Sequence, residues 1–315
     1  MASARRTTTS PLLSFAPGPR EIIRAVSPRV SVIIATYNWS SVLPYSIGSV
    51  LRQTMQDFEI LVVGDGCTDD SESVVAAIGD SRIRWFNLPV NTRHQGAPNN
   101  EGLRHASGEF IAYLGHDDLW MPHHLETLVT ALDASGAGMA YSLVAEIEAS
   151  GEVAVLTSTP QTGGWVAPSG TAHRRSVTDA IGGWGDYRQL RVVPEVDLWL
   201  RAREAGFRFA FAPRLTAIKF PASVRRGVYQ TRPNHEQAAW SARIASEPNL
   251  EATLLAGVVA GGGHLTRMPY RQLAKLFVSQ TVARIRHRFG QRALLASITR
   301  AKGATIGNVR RFKGL

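Results

Sequence analysis

Four short apolar runs recur in the first 120 residues, each followed by a polar turn and then a helical pattern. The first, Val30-Ser31-Val32-Ile33-Ile34-Ala35, is β-branched and apolar almost throughout. A strand buried on both faces requires such an unbroken run. Residues 58–63, 83–88 and 110–114 read as three more strands. Between them the period lengthens. Leu43, Ile47, Val50 and Leu51 share one helical face, with Ser40 or Ser41 able to cap and Pro44 in the first turn. Val74, Val75 and Ile78 follow Asp70 or Ser71 in the same way, and residues 96–106 and 122–134 supply two further helices. Strands alternating with helices through short links predict a mostly parallel α/β sheet with right-handed crossovers. After residue 138 the pattern changes. Residues 139–147 and 153–157 read as strands joined at Ser150-Gly151, and 207–211 as another. Residues 176–181 and 195–204 read as helices, the second closed by Gly206.

Two acidic turns stand at strand ends. Gly64-Asp65-Gly66-Cys67-Thr68-Asp69-Asp70 follows the second strand, and Gly115-His116-Asp117-Asp118 follows the fourth. In an open α/β sheet the carboxyl ends of the strands border the ligand crevice. Two such turns can grip a nucleotide twice, at the base and sugar and, through a metal, at the diphosphate. Asp65 is an acceptor that suits the N3–H of uracil or thymine or the N1–H of guanine, and it has no such partner on adenine or cytosine. Tyr37 follows the first strand, where its ring can stack on a planar base, supported by the Thr36 backbone; such stacking is worth about 1–3 kcal/mol. Asp117 is the expected contact for Mg²⁺ or Mn²⁺, which prefer hard oxygen ligands. His116 and Asp118 are further candidates there. The reading is therefore a transferase that uses a nucleotide-diphosphate sugar.

Charge changes the picture at one end only. The chain has 315 residues and a net charge of +10. After Glu251 there are twelve Lys and Arg and no Asp or Glu, so residues 1–251 are two charges negative. The basic balance thus belongs to the tail and gives no ground for nucleic-acid binding. Within that tail Val278, Val282, Ile285 and Phe289 recur at helical spacing among arginines, a pattern suited to an anionic membrane surface or to packing on the domain. Cys67 is the one cysteine, so no intramolecular disulfide forms. No apolar run reaches the roughly 18 residues of a membrane span, and the N-terminus lacks the apolar core of a secretion signal. The expected organisation is a disordered tail at 1–28, a catalytic domain at 29–235 and a basic helical extension at 236–315, in a cytoplasmic protein able to sit on the inner membrane face.

Five segments, in order over residues 29–220, resemble family 2 glycosyltransferases. Residues 30–38 are similar to the family's opening strand and turn, and Gly64-Asp65-Gly66-Cys67-Thr68-Asp69 to its Asp-Asp-Gly-Ser-Thr-Asp turn. Gly96-Ala97-Pro98-Asn99-Asn100-Glu101-Gly102-Leu103 resembles the segment before its metal motif, and Gly115-His116-Asp117-Asp118 falls where its DXD motif lies. Pro194-Glu195-Val196-Asp197-Leu198-Trp199-Leu200-Arg201 resembles its catalytic-base helix. The resemblance implies a GT-A fold and an inverting, metal-dependent transfer. It also implies a donor site of Thr36, Tyr37, Asp65, Asn99, Asp117 and Asp118. The sequence departs from the family at Gly64 and Gly115, where an Asp is common, at Asn99, where an Arg is frequent, and at Pro194, where the Glu of a Glu-Asp pair is usual. The Gln-x-x-Arg-Trp motif of processive synthases is missing, which favours transfer of one sugar.

In that frame Glu195 is the expected base, taking a proton from the acceptor hydroxyl. Asp197 competes, but lies about 200° away around the helix. Gly183 and Trp184 are expected at the acceptor, the ring either a sugar platform or core packing. Lys219, Arg225 and Arg226 are positioned either to meet a diphosphate or to form an ordinary basic loop. Acceptors of the expected kind are glycans or lipid-linked sugars. The substitutions at Gly64, Gly115 and Pro194 leave open a catalytically weakened nucleotide-binding or scaffold protein. A nucleotidyltransferase would need a Lys-bearing glycine loop after the first strand, and a dehydrogenase Gly-x-Gly-x-x-Gly there. Thr36-Tyr37-Asn38-Trp39-Ser40 is neither.

Overall fold

The computed structural model describes residues 27–156 and 165–260. The four expected strands are β1 (Val30–Thr36), β2 (Phe58–Gly64), β3 (Ile83–Asn87) and β4 (Phe110–Gly115). They pair in parallel in the order β3-β2-β1-β4. Helices α1 (Leu43–Leu51), α2 (Ser71–Ala77) and α3 (Gly96–His105) connect them. The unbroken apolar character of β1 has a direct cause. Val30, Val32 and Ile34 enter the core under α1, while Ile33 faces the opposite core, which holds Leu198 and Trp199. Inside β2, Glu59 is the exception. Burial works against its charge, but bonds from Ser107, Ser31 and Arg84 outweigh burial and hold its carboxyl below the usual range.

The second half widens the sheet. After β4 come β5 (Leu119–Trp120), α4 (His124–Ser135), β6 (Met139–Ile147), β7 (Val153–Leu156), β8 (Thr171–Arg174), α5 (Arg175–Ile181), α6 (Pro194–Glu204) and β9 (Phe209–Lys219). Among the described residues the sheet has nine strands, in the order β3-β2-β1-β4-β8-β6-β9-β5, with β7 paired to β6. The β8 strand lies antiparallel to β4, while β9 runs parallel to β6 with a bulge at Leu143. Pro213 and Arg214 are skipped there, where a residue without an N–H fits an interrupted ladder.

Several expected boundaries move. The helix read from Pro122 begins at His124, and the two residues of β5 pair with Ile218 and Ala217 of a β9 longer than residues 207–211. The cap of α2 is not Asp70 or Ser71: Asp69 Oδ1 accepts from the Ser71 N–H and hydroxyl. Two histidines, His124 and His173, have no exposed area. The boundary at residue 235 runs through packed structure. After α7 (Val228–Thr231) come α8 (His235–Ser246) and α9 (Leu250–Ala260). Their Trp240, Ile244, Leu250 and Leu254 share one core with Leu119, Leu215, Ile218 and Phe220. The basic stripe from Val278 to Phe289 lies outside the described residues, as do residues 1–26.

His173 sets a pH dependence. Its Nδ1 lies 2.9 Å from the Arg174 carbonyl and its Nε2 3.2 Å from the Tyr113 hydroxyl, so Nδ1–H donates and Nε2 accepts. Burial lowers it from 6.5 to about 4. The folded state keeps the ring neutral while the unfolded chain takes up a proton. The stability involved is therefore complete above pH 6.5 and is lost as pH falls from there towards about 4. Each pH unit in that window removes up to about 1.4 kcal/mol. His124, stacked on Trp120, is lowered by the same burial and acts in the same direction. The urea midpoint is expected to fall between pH 7 and pH 5, and more shallowly in His173→Gln. An unchanged slope in that variant would assign the loss to other groups.

Candidate active site

The turns at the carboxyl edge of β1, β2 and β4, where the donor is expected, are locked to one another by hydrogen bonds. Asn38 has φ of 47°. Asn is among the residues that tolerate this left-handed conformation. Its amide bridges to the second turn, accepting from the Thr68 N–H at 2.7 Å and donating to the Thr68 hydroxyl at 3.1 Å. Beside it Tyr37 remains 38% exposed, with a ring free to stack. Gly64 also has a local reason. Asn87 joins the Cys67 N–H at 2.8 Å and carbonyl at 2.9 Å, and a Cβ on residue 64 would stand 2.5 Å from Asn87 Oδ1. An Asp at position 64 would disrupt that bridge.

Asp65 is 4% exposed. Its Oδ1 accepts from the Thr92 N–H at 2.9 Å and hydroxyl at 2.8 Å, and Oδ2 from the Arg93 N–H at 3.0 Å. A carboxylate offers about four acceptor positions, so one remains on Oδ2 for a base N–H. The loop that Asp65 holds was not read from the sequence, and Arg93 sits there with φ of 65°. Two residues on, Gln95 immediately precedes α3 and donates to Glu195 Oε2 at 3.5 Å. Trp165 Nε1 donates to Glu195 Oε1 at 2.6 Å. Glu195 thus lies half-buried in the first turn of α6, oriented from two sides. Asp197 faces elsewhere. It pairs with Arg201 at 2.7 Å, and that guanidinium also binds the carbonyls of Ile181 and Gly183.

The second acidic turn divides its carboxylates. Asp118 is 1% exposed. It receives the Ser169 hydroxyl, the Phe220 N–H at 3.3 Å and the Lys219 ammonium at 3.4 Å. Asp117 stays half-buried, its backbone carbonyl bound by Gln237 of α8. Burial, then the charge of Asp118, push the Asp117 carboxyl above its ordinary range, with His116 and Lys219 pulling back. Burial alone would lower the Lys219 ammonium, yet Asp118 and Asp117 hold it above its ordinary value. His116 directs Nδ1 to the Thr36 hydroxyl at 2.9 Å, and its ring meets Trp39 edge-on. Tyr229 of α7 also meets Trp39 edge-on. Gly115 is required by this arrangement, since a Cβ there would stand 2.7 Å from Asp118 Oδ2.

No group of three His, Cys, Asp or Glu among the described residues forms a closed metal site. A nucleotide-bound Mg²⁺ commonly takes one or two carboxylates and completes its shell with phosphate oxygens and water. Asp117 fits that demand.

Other expected positions divide. Asn99 is 3% exposed, and among the described residues its side chain makes no hydrogen bond. Its neighbour Asn100 binds the Trp184 N–H at 2.8 Å and carbonyl at 2.9 Å, which fixes the Gly182-Gly183 turn. Trp184 itself is 3% exposed, edge-on to Tyr113, so the ring serves as core and offers no sugar platform. Gly183, φ 74°, shapes that turn. Arg225 does not face a diphosphate: it is buried against Glu236 and the carbonyls of Pro221 and Ile147. Arg226 is exposed.

A half-parallel sheet with acidic turns at its carboxyl edge and a helix-borne carboxylate opposite defines a GT-A-type glycosyltransferase. The profile described as "Glycosyl transferase family 2" matches residues 31–182. The putative glycosyltransferase EpsE of Bacillus subtilis is 32% identical over 195 residues, 58% of this chain and 69% of that protein. On these grounds the chain belongs to glycosyltransferase family 2. The UDP-Glc:alpha-D-GlcNAc-diphosphoundecaprenol beta-1,3-glucosyltransferase WfgD of Escherichia coli is 33% identical over 141 residues, 44% of this chain and 51% of that one. Matches span from 34% to 69% of the first curated relatives' own lengths. In structure the chain is similar to S. aureus TarS 1–349 in complex with UDP-GlcNAc, with a TM-score of 0.55 at 17% identity, covering 91% of this chain and 90% of that one. Among the described residues no helix is long and apolar enough to cross a membrane.

Proposed function

We propose that the chain is an inverting glycosyltransferase that moves a single sugar from a UDP-, dTDP- or GDP-linked donor to an acceptor hydroxyl. The observation that carries this reading is the continuity of the site. Asp65 holds residues 92 and 93, and Gln95 of the same loop reaches Glu195, so the base-recognition turn and the candidate base share one framework. Tyr37 stacks on the nucleobase, and the remaining Oδ2 position of Asp65 accepts its ring N–H. Asp117 would hold a divalent ion, Mn²⁺ or Mg²⁺, together with the donor, and such an ion would supply positive charge against the diphosphate. Asn99 lines the donor side. Glu195 takes the acceptor proton as the hydroxyl oxygen attacks the anomeric carbon from the face opposite the leaving diphosphate, so the centre inverts. Trp165 and Gln95 fix the carboxylate for that role and leave Oε2 able to accept.

The acceptor belongs to glycan, cell-surface polysaccharide or glycolipid synthesis. Support comes from the E. coli relative, whose name specifies a sugar on a diphosphate lipid. Such an acceptor sits at a membrane, and the basic segment after Glu251 would meet its anionic surface. The donor assignment is tested by thermal shift with Mn²⁺. UDP, dTDP or GDP is expected to raise the melting temperature and ADP not to. Equal stabilisation by ADP would remove the role given to Asp65.

A further inference from the structure

We infer that Lys219 is a built-in cation for the donor diphosphate, so that nucleotide is held by an ammonium as well as by a divalent ion. The inference rests on the nucleotide-sugar reading of the site and concerns how this chain meets the donor's charge.

Three observations converge. The first is place. Lys219 ends β9, directly before the segment that leads to Tyr229, and its Nζ lies 3.4 Å from Asp118. Its side chain is 21% exposed, so it is not sealed into the core. The second is the poverty of the turn in free carboxylates. Gly115 supplies none, and Asp118 is bound by Ser169, Phe220 and Lys219 together. Asp117 alone remains for an ion. The third is charge. The groups acting on Asp117 are Asp118, His116 and Lys219. With Asp117 and Asp118 ionised and no lysine, the turn would present two negative charges to an incoming diphosphate. Lys219 reduces that to one before any ion arrives. Glu146, which pairs in register with Lys219 across β6 and β9, is a further negative charge that helps keep the lysine protonated.

A purely structural role is the rival: Lys219 as counter-ion to a buried Asp118 and nothing more. The two differ in what the diphosphate feels. Calorimetry on the full chain compares UDP (or the dTDP or GDP that the thermal-shift panel selects) with the matching monophosphate, each with Mn²⁺ and with EDTA. Wild-type protein is expected to bind the diphosphate in EDTA, more weakly than with Mn²⁺. Lys219→Met is expected to lose a further factor of about ten in EDTA and less with Mn²⁺, where about tenfold corresponds to roughly 1.4 kcal/mol. The monophosphate should be affected less than the diphosphate. Because the single variant strands a buried carboxylate, the double variant Lys219→Met/Asp118→Asn is measured beside it and is expected to show the same loss in EDTA. Diphosphate binding with Mn²⁺ but none in EDTA would overturn the inference and leave the site reading standing. So would an equal loss for mono- and diphosphate. Absence of binding in both conditions would remove the site reading itself, and Lys219 with it.

Discussion

Glu195→Gln is expected to bind donor nucleotide like the wild type while transferring sugar at least about 100-fold more slowly, the low end for a positioned general base. The substitution keeps the side-chain shape between Trp165 and Gln95 and removes the proton acceptor. Binding is expected to survive because Glu195 belongs to α6, whereas the donor is assigned to the turns after β1, β2 and β4. The comparison variant is Asp197→Asn. It weakens the pair with Arg201, whose guanidinium ties down the carbonyls of Ile181 and Gly183. Loss of a charge-assisted bond of this kind costs about 1.5–3 kcal/mol of stability, with far less effect on turnover per folded molecule. Product analysis gives an independent reading, since a single displacement inverts the anomeric centre. Retained configuration, or an Asp197→Asn enzyme slower than Glu195→Gln, would show the chemistry assigned to the wrong carboxylate.

Asp117→Asn is expected to abolish the gain in nucleotide affinity that Mn²⁺ provides, at least about tenfold, while leaving binding in EDTA in place. The fold should not suffer. In the native state this carboxylate is burdened by burial and by its neighbour Asp118, so a neutral amide relieves repulsion, and the melting temperature is expected to stay level or rise. Such a balance is expected where a group is kept for binding at the expense of stability. Normal Mn²⁺-dependent binding by calorimetry in this variant would move the metal away from the turn.

The parts legible in the sequence were those fixed by local pattern. The strands β1, β2 and β4 announce themselves because both faces are buried, which forces an apolar residue at nearly every position. The positions of Asp65, Asp117 and Glu195 were legible because each sits at an element end that its own flanks define. What escaped was decided by distant residues. Trp165 and Gln95 orient Glu195 across 30 and 100 positions. Nothing near either of them signals this. Trp184 and Tyr37 are both aromatic residues in turns, yet one is core and one is open, because Tyr113 lies under the first. Arg225 could be read as a diphosphate contact or as part of a basic loop, and Glu236, eleven residues on, decides against the first. The short β5 carries too few residues to show a period and exists only because β9 passes beside it.

The glycine at 115 also limits how this site can change over generations. Its missing side chain leaves the space that Asp118 Oδ2 occupies, and that oxygen is pinned by Ser169 and Lys219. Restoring the family's usual Asp at 115 by one substitution would therefore pass through an intermediate in which Asp118 is displaced and Lys219 has lost its partner. Positions 115, 118 and 219 are thus physically coupled, and a carboxylate added at 115 would call for a compensating change at one of the other two.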